Sequence, residues 1–210
     1  MGILIHEPNS DGWPEDFNID TFMGTWYVTH STLPLWKSKK DVSITYTPLP
    51  SHHSSGSDER VVRFLDTVSY RSSSFPSSNK PSTVEGVDTA IPTPSASSTT
   101  QSGPPTRFKW RGKGWLTIAS SRWQVLGYSN PQHTLSDTDA TNPPSPAWAL
   151  TFFETTLFTP AGLDIYARSP QGLPEDLVQE IIQTAQQVEG QVGKLAHKFF
   201  KVDTSEEEGS

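Results

Sequence analysis

The chain has 210 residues, a formal net charge of −7 and no cysteine. This length fits a single all-β domain, the modest acidic charge disfavours a nucleic-acid partner, and the lack of cysteine excludes disulfide bonds. No apolar stretch approaches the roughly 20 residues of a membrane-spanning helix. Residues 1–20 also lack the pattern of a secretory signal. We therefore expect a soluble, cytoplasmic protein with no stable membrane insertion.

The polar residues are concentrated in three stretches rich in Ser, Thr, Pro, Asp or Asn, at residues 71–82, 93–105 and 129–146. Stretches of this composition predict flexible loops. The 7 Trp, 10 Phe and 5 Tyr fall almost entirely outside them. The sequence thus predicts one domain over residues 1–202 and a disordered acidic tail over residues 203–210.

Eight short β-rich runs separated by turn-forming residues indicate a sandwich or barrel rather than a parallel α/β sheet. The first run alternates with period two, which predicts that Trp26, Val28 and His30 share one face. The runs are residues 25–32, 42–48, 60–70, 83–91, 106–111, 115–128, 148–156 and 163–168. We interpret the eight runs together as an antiparallel, up-and-down series.

Residues 173–189 have the spacing of an amphipathic helix. Its apolar stripe consists of Leu173, Leu177, Ile181, Ala185 and Val188. Pro174 suits the first helical position and Gly190 the residue after the end. Because no second helix is available to cover another sheet, we expect a closed barrel with this helix packed outside. Residues 191–202 are predicted to add a strand or a docking segment.

Two elements carry a resemblance to a known family. Gly24-Thr25-Trp26 opens the first strand, and Tyr166-Ala167-Arg168-Ser169-Pro170 ends the last strand just before the helix. Together they resemble lipocalins of the calycin superfamily, closest in pattern to the bacterial and apolipoprotein D-like members. The resemblance implies an eight-stranded antiparallel barrel with one C-terminal helix outside. It also implies a structural pair at the closed end, where Arg168 packs over Trp26. The chain departs from the family because residues 129–146 contain no Thr-Asp-Tyr element and because cysteine is absent.

An eight-stranded barrel is either filled by side chains or holds one small ligand. If Trp26 points inward, Val28 and His30 follow it toward the mouth. His30 is then a polar anchor for an apolar ligand or a mouth-lining histidine with a hydrogen-bond partner. The candidate ligand-binding residues are His30, Val28, Tyr46, Trp115, Trp123, Trp148 and Phe152. The aromatic residues among them are equally compatible with core packing or with a position under the helix.

The sequence favours binding or transport of a small hydrophobic molecule, without a cofactor or a bound metal. No nucleophile motif, phosphate loop or metal-ligand spacing occurs, so we lean away from an enzyme. The alternative is a cofactor-free cyclase or isomerase of pericyclic, Diels-Alderase-like type, which works by holding reacting atoms in place. For that alternative His30 is the best catalytic candidate. Haem or nitric oxide binding through a histidine is a third hypothesis, and the sequence leaves the question of protein partners open.

Overall fold

The computed structural model describes residues 2–50, 52–53, 60–73, 80–91, 103–114, 117–130 and 146–205. Most of the three predicted loops therefore lies outside the described residues. The same is true of Trp115, one of the candidate ligand-binding residues.

Eight antiparallel strands form the body of the structure. They are β1 (Gly24–Ser31), β2 (Lys39–Pro48), β3 (Arg63–Ser72), β4 (Ser82–Ala90), β5 (Arg107–Gly112), β6 (Ser120–Ser129), β7 (Trp148–Phe153) and β8 (Gly162–Ala167). Each strand pairs with the next, and β8 pairs back to β1, which closes the sheet into an up-and-down barrel. The predicted fold class is confirmed. A short pair, His52–His53 with Arg60–Val61, lies between β2 and β3 in the chain.

Helices lie at both ends of the chain. The short α1 (Ile19–Phe22) is capped by Asn18, whose side chain accepts hydrogen bonds from the backbone N–H groups of Asp20 and Thr21. A 3₁₀ helix, Pro34–Ser38, follows β1. The predicted C-terminal helix is confirmed as α2 (Glu175–Gln187), with Pro174 at its cap position rather than inside it. Among the described residues, no helix is both long and apolar enough to cross a bilayer.

For the segment after α2 the sequence predicts a strand or a docking segment, and the structure contains a helix in addition to a strand. Gln191–Ala196 forms a further helix, α3, and Phe200–Lys201 forms a short strand, β9. Strand β9 pairs with β1 at His30 and Ser31. The residues after β9 contact Asp41 of β2. The Asp41 N–H donates to the Asp203 carbonyl over 3.0 Å, and the Asp41 carboxylate accepts from the Ser205 N–H over 2.8 Å. Residues 203–205, which we expected in a disordered tail, are therefore fixed to the barrel.

Two hydrophobic cores lie on opposite sides of the barrel wall. The inner core lies inside the barrel and includes Phe22, Trp26 and Trp123. The outer core lies between the wall and the helices, and includes Leu150 of β7 and Ile181 of α2. Because both faces are covered there, β8 is buried at every position rather than at alternate ones.

A β-bulge interrupts β1 where it pairs with β8. Val28 lies opposite Tyr166 and His30 lies opposite Ile165, so Thr29 is the extra residue. Side chains alternate between the two faces of a strand, and one inserted residue exchanges the faces beyond it. Trp26 and Val28 consequently point inward below the bulge, whereas Ser31 points inward above it.

Candidate ligand-binding site

One end of the barrel is closed by Trp26 and Arg168. The Arg168 Cζ lies 3.7 Å from the centre of the Trp26 ring, a cation–π distance. The Trp26 ring nitrogen donates to the Phe22 carbonyl over 2.8 Å. The Arg168 guanidinium donates to the carbonyls of Thr25 (2.8 Å), Thr21 (2.6 Å), Phe22 (3.1 Å) and Met23 (2.8 Å). Burial lowers the pKa of Arg168 to about 10, so the guanidinium stays charged at neutral pH.

Above this closed end, aromatic rings fill the lower half of the barrel. The Tyr46 ring stacks on that of Trp123, with centroids 5.6 Å apart and planes 15° from parallel. Phe22 also packs against Tyr46 at 5.2 Å and lies 6.1 Å from Trp123, and Phe108 packs on Trp123 at 4.7 Å. Offset ring packing of this kind is favourable. These packed rings form the floor of the space above them.

A cavity of about 460 Å³ lies between this floor and the open mouth. Its volume is within the range of small-molecule sites. The apolar walls are Leu33, Trp36, Ile44, Val68, Trp110 and Phe153, with Tyr46 and Trp123 beneath. Gly86 makes room for one wall, since a Cβ there would lie 2.1 Å from the Trp110 ring nitrogen. The described wall is therefore mainly aromatic and aliphatic.

Asp164, on β8, is a fully buried acid at the cavity wall. The Ser31 hydroxyl donates to one of its carboxyl oxygens, and the Trp36 ring nitrogen donates to the other over 3.2 Å. Burial raises the pKa of Asp164 to about 7, and the two hydrogen bonds oppose that rise. Asp164 thus connects β8, β1 and the 3₁₀ helix, and both of its oxygens have donors.

A second acidic group is the pair Asp66 and Asp88, on the neighbouring strands β3 and β4. The Trp123 ring nitrogen donates to one oxygen of Asp88 over 2.7 Å. Burial raises the pKa of Asp88 to about 7 and that of Asp66 well above its ordinary value, and Asp88 raises the latter further. Each carboxyl influences the ionisation of the other, so the two titrate as a pair.

Three buried polar atoms of this region have no hydrogen-bond partner: Asp66 Oδ1, Asp88 Oδ2 and the Tyr166 hydroxyl. Asp66 and Tyr166 both line the cavity. The Tyr166 hydroxyl lies close to Tyr46 and Thr151 without meeting the geometry of a hydrogen bond with either. Buried polar groups are nearly always paired, so these atoms leave unmet hydrogen-bonding capacity in this part of the described barrel interior.

Comparison with solved structures supports the assignment of the fold. No family model and no curated protein sequence matches the chain. Among solved structures, apocrustacyanin C2 superposes with a TM-score of 0.50 at 13% identity, over 98% of this chain and 92% of that one. The chain has the lipocalin fold. The amine-binding protein of Rhodnius prolixus (TM-score 0.49, 14% identity, 94% of this chain and 86% of that one) is also similar, as is insecticyanin from the tobacco hornworm Manduca sexta (0.46, 16%, 99% and 86%). A closer kinship with bacterial or apolipoprotein D-like lipocalins stays a prediction.

Within this lipocalin barrel, the predicted site residues fall into separate places. Tyr46 and Trp123 line the cavity as its floor. Val28 points inward but is buried in the inner core, away from the cavity wall. Trp115 lies outside the described residues.

The expectation that His30 points into the lipocalin barrel is wrong. The bulge at Thr29 turns the His30 side chain to the outer face, opposite Ile165 of the outer core. Burial at this position lowers the pKa of His30. The negative charge of Glu175 on α2 acts to raise this pKa, and the positive charge of Lys201 on β9 acts to lower it further. His30 therefore belongs to the contact between the wall, α2 and β9.

Trp148 and Phe152 are also misplaced by the sequence prediction. Both belong to the outer core, beneath the helices. On β7 the inward positions are Ala149, Thr151 and Phe153, and the large apolar residues alternate on the outside. Because β7 is buried on both faces, hydrophobicity alone does not distinguish its two faces.

The sequence prediction missed the acids that give the lipocalin cavity its chemical character. Asp66 lies on β3 at the same period-two face as Phe64, Val68 and Tyr70, so a polar residue within an inward apolar series was the available signal. Asp164 depends on partners that are remote in the sequence. Its actual partners, Ser31 and Trp36, are more than 120 positions away in the chain.

Proposed function

We propose that the protein binds a small, largely apolar organic molecule in the cavity at the barrel mouth. The observation that carries the proposal is the 460 Å³ space between an aromatic floor and the open end. A packed barrel has no such space. The pericyclic cyclase alternative loses its candidate residue, because His30 lies on the outer face.

The proposal is tested by titrating the protein with the neutral fluorophore N-phenyl-1-naphthylamine. We expect saturable binding of one molecule per chain, with quenching of tryptophan fluorescence because Trp123 forms the floor. A Val68→Trp variant places a large ring in the cavity and is expected to weaken binding about tenfold or more.

The matched control is Thr67→Trp, the same substitution one position earlier on β3. Successive side chains of a strand point to opposite faces, so this ring lies outside the barrel and affinity should not change. Absence of saturable binding to the wild type, or equal weakening by both variants, would contradict the proposal.

A further inference from the structure

We propose that the bound molecule carries a protonated amine and that Asp66 receives its ammonium group. This inference rests on the proposed function and specifies the ligand class of the same cavity. The decisive feature is Asp66 itself, a cavity-lining acid that is only 7% exposed and has one carboxyl oxygen, Oδ1, without a hydrogen-bond partner. An ammonium group donates hydrogen bonds and neutralises a carboxylate at once.

The cavity has more acidic than basic groups. Asp66, Asp164 and Glu154 line it and Asp88 adjoins Asp66, whereas Lys39 is the cationic residue of the described lining. The Lys39 ammonium lies over the Tyr70 ring, 4.6 Å from its centre. Among the described residues, no lysine, arginine or histidine contributes to the electrostatics of Asp66. A buried carboxylate without a cation is costly, and a cationic ligand removes that cost.

Asp66, rather than Asp164, is assigned as the receiving group because of their different partners. Both oxygens of Asp164 already accept hydrogen bonds, from Ser31 and Trp36. Asp66 retains a free oxygen, and the unpartnered Tyr166 hydroxyl is a second polar group on the same cavity. An ammonium donates to Asp66, while a further polar atom of the ligand is available to Tyr166.

The aromatic floor favours an organic ammonium over a hydrated inorganic ion. Tyr46 lies directly opposite Asp66 in the pairing of β2 with β3, and it stacks on Trp123. Ring faces attract an organic cation, and the same rings pack against an apolar body. A small amine with an aromatic or aliphatic body thus matches both the charge and the surface of the cavity.

Binding of the ammonium to the Asp66 carboxylate requires the pair Asp66 and Asp88 to lose a proton. The groups facing Asp66 are Asp88 from β4, Tyr46 from β2 and Tyr166 with Asp164 from β8, and Lys39 and Glu154 lie at the mouth. In the empty cavity, burial and Asp88 keep a proton on the pair near neutral pH. That proton passes to solvent as the ammonium–carboxylate pair forms. Amine affinity therefore rises with pH as long as the amine itself stays protonated.

The test is isothermal titration calorimetry with 2-phenylethylamine and with 2-phenylethanol, which share the ring and chain and differ in the charged group. At pH 8 we expect the amine to bind about tenfold or more tightly than the alcohol. Its binding should release a proton, measured by repeating the titration in buffers of different ionisation enthalpy. The alcohol should release none, and its affinity should not change between pH 6 and pH 8.

Three variants test which residues are responsible for the tighter binding of the amine. Asp66→Asn should remove the advantage of the amine while alcohol affinity, which also reports folding, stays the same. Asp88→Asn keeps the receiving carboxyl and should weaken the pH dependence of amine binding, because burial still raises the pKa of Asp66. Glu154→Gln removes one negative charge at the mouth and should weaken amine binding by less than about threefold, since exposed charges are screened.

The outcomes separate the two proposals. If the alcohol and the neutral fluorophore bind but the amine is no tighter at pH 8, the inference is overturned and the proposed function stands. An amine advantage that survives Asp66→Asn overturns the assignment to Asp66. If neither compound nor the fluorophore binds, the proposed function fails as well.

Discussion

Arg168 makes a set of contacts that a lysine in its place is unable to reproduce. Its planar guanidinium donates to carbonyls in the segment from Thr21 to Thr25 and stacks on Trp26 at the same time. A lysine ammonium is a point donor that does not stack in this way. The carbonyls at the end of α1 have no partner within the helix, so losing the guanidinium leaves several of them unpaired.

Arg168→Lys is therefore expected to lower the free energy of unfolding by about 2–3 kcal/mol. Urea denaturation followed by tryptophan fluorescence measures the change. Arg111→Lys is the control, because the exposed Arg111 makes a single hydrogen bond to the Thr117 carbonyl and its replacement should cost less than about 0.5 kcal/mol. Equal stability of wild type and Arg168→Lys would show that the closed end does not depend on the guanidinium.

Individual residues also show where sequence reasoning about the site fails. Tyr46 was predictable as an interior residue because it is aromatic and lies on a strand with alternating burial, and Trp123 because it is a large aromatic residue within a predicted strand. Asp66 was not, because isolated acids are usually exposed, and its burial depends on a neighbouring strand that the sequence does not identify. The partners of Asp164 depend on closure of the barrel between β1 and β8, which is a property of the assembled sheet.

At the scale of elements, period and turn chemistry were sufficient to predict all eight barrel strands and α2. Strand β2 shows why: its buried positions Val42, Ile44 and Tyr46 alternate with more exposed residues. The prediction failed where alternation is interrupted, at the bulge of β1. It also failed on β7, where the helices cover the outer face.

The helix α2 stabilises the fold independently of the cavity. Ile181 is fully buried in the outer core, so Ile181→Ala is expected to lower the free energy of unfolding by about 2–5 kcal/mol. Affinity for N-phenyl-1-naphthylamine should stay unchanged, because the barrel wall separates Ile181 from the cavity. The measurements are urea denaturation and dye titration, with the exposed Glu180→Ala as control. A change in dye affinity in the folded Ile181→Ala protein would contradict the separation of the two cores.

At the scale of the whole molecule, three buried acids make stability depend on pH. Burial raises the pKa of Asp88 and of Asp164 to about 7, and that of Asp66 is raised as well. Between about pH 4 and pH 7 the folded protein therefore holds protons that the unfolded chain releases. The contribution of these groups is present at low pH and is lost as the pH rises through this window.

We accordingly expect the free energy of unfolding to fall between pH 4.5 and pH 7.5, and to fall less in Asp164→Asn. A shift from the ordinary pKa to about 7 corresponds to up to about 4 kcal/mol for one carboxyl. Asp41 acts in the opposite direction, because its hydrogen bonds to Ser205 and Arg71 lower its pKa, and its effect lies below this window. Urea denaturation across the pH series measures both slopes, and parallel slopes for the two proteins would refute the assignment.

The bulge at Thr29 divides β1 into two parts that have different neighbouring elements. Below it, β1 pairs with β2 and contributes Trp26 to the interior. Above it, the same strand pairs with β9 and turns His30 toward α2. An alignment of related sequences that runs through β1 without a gap at residue 29 would equate an interior position with an exterior one. Cavity residues of distant relatives must therefore be compared by strand-pairing register. Two residues at the same sequence distance from Trp26 do not necessarily point to the same side of the barrel wall.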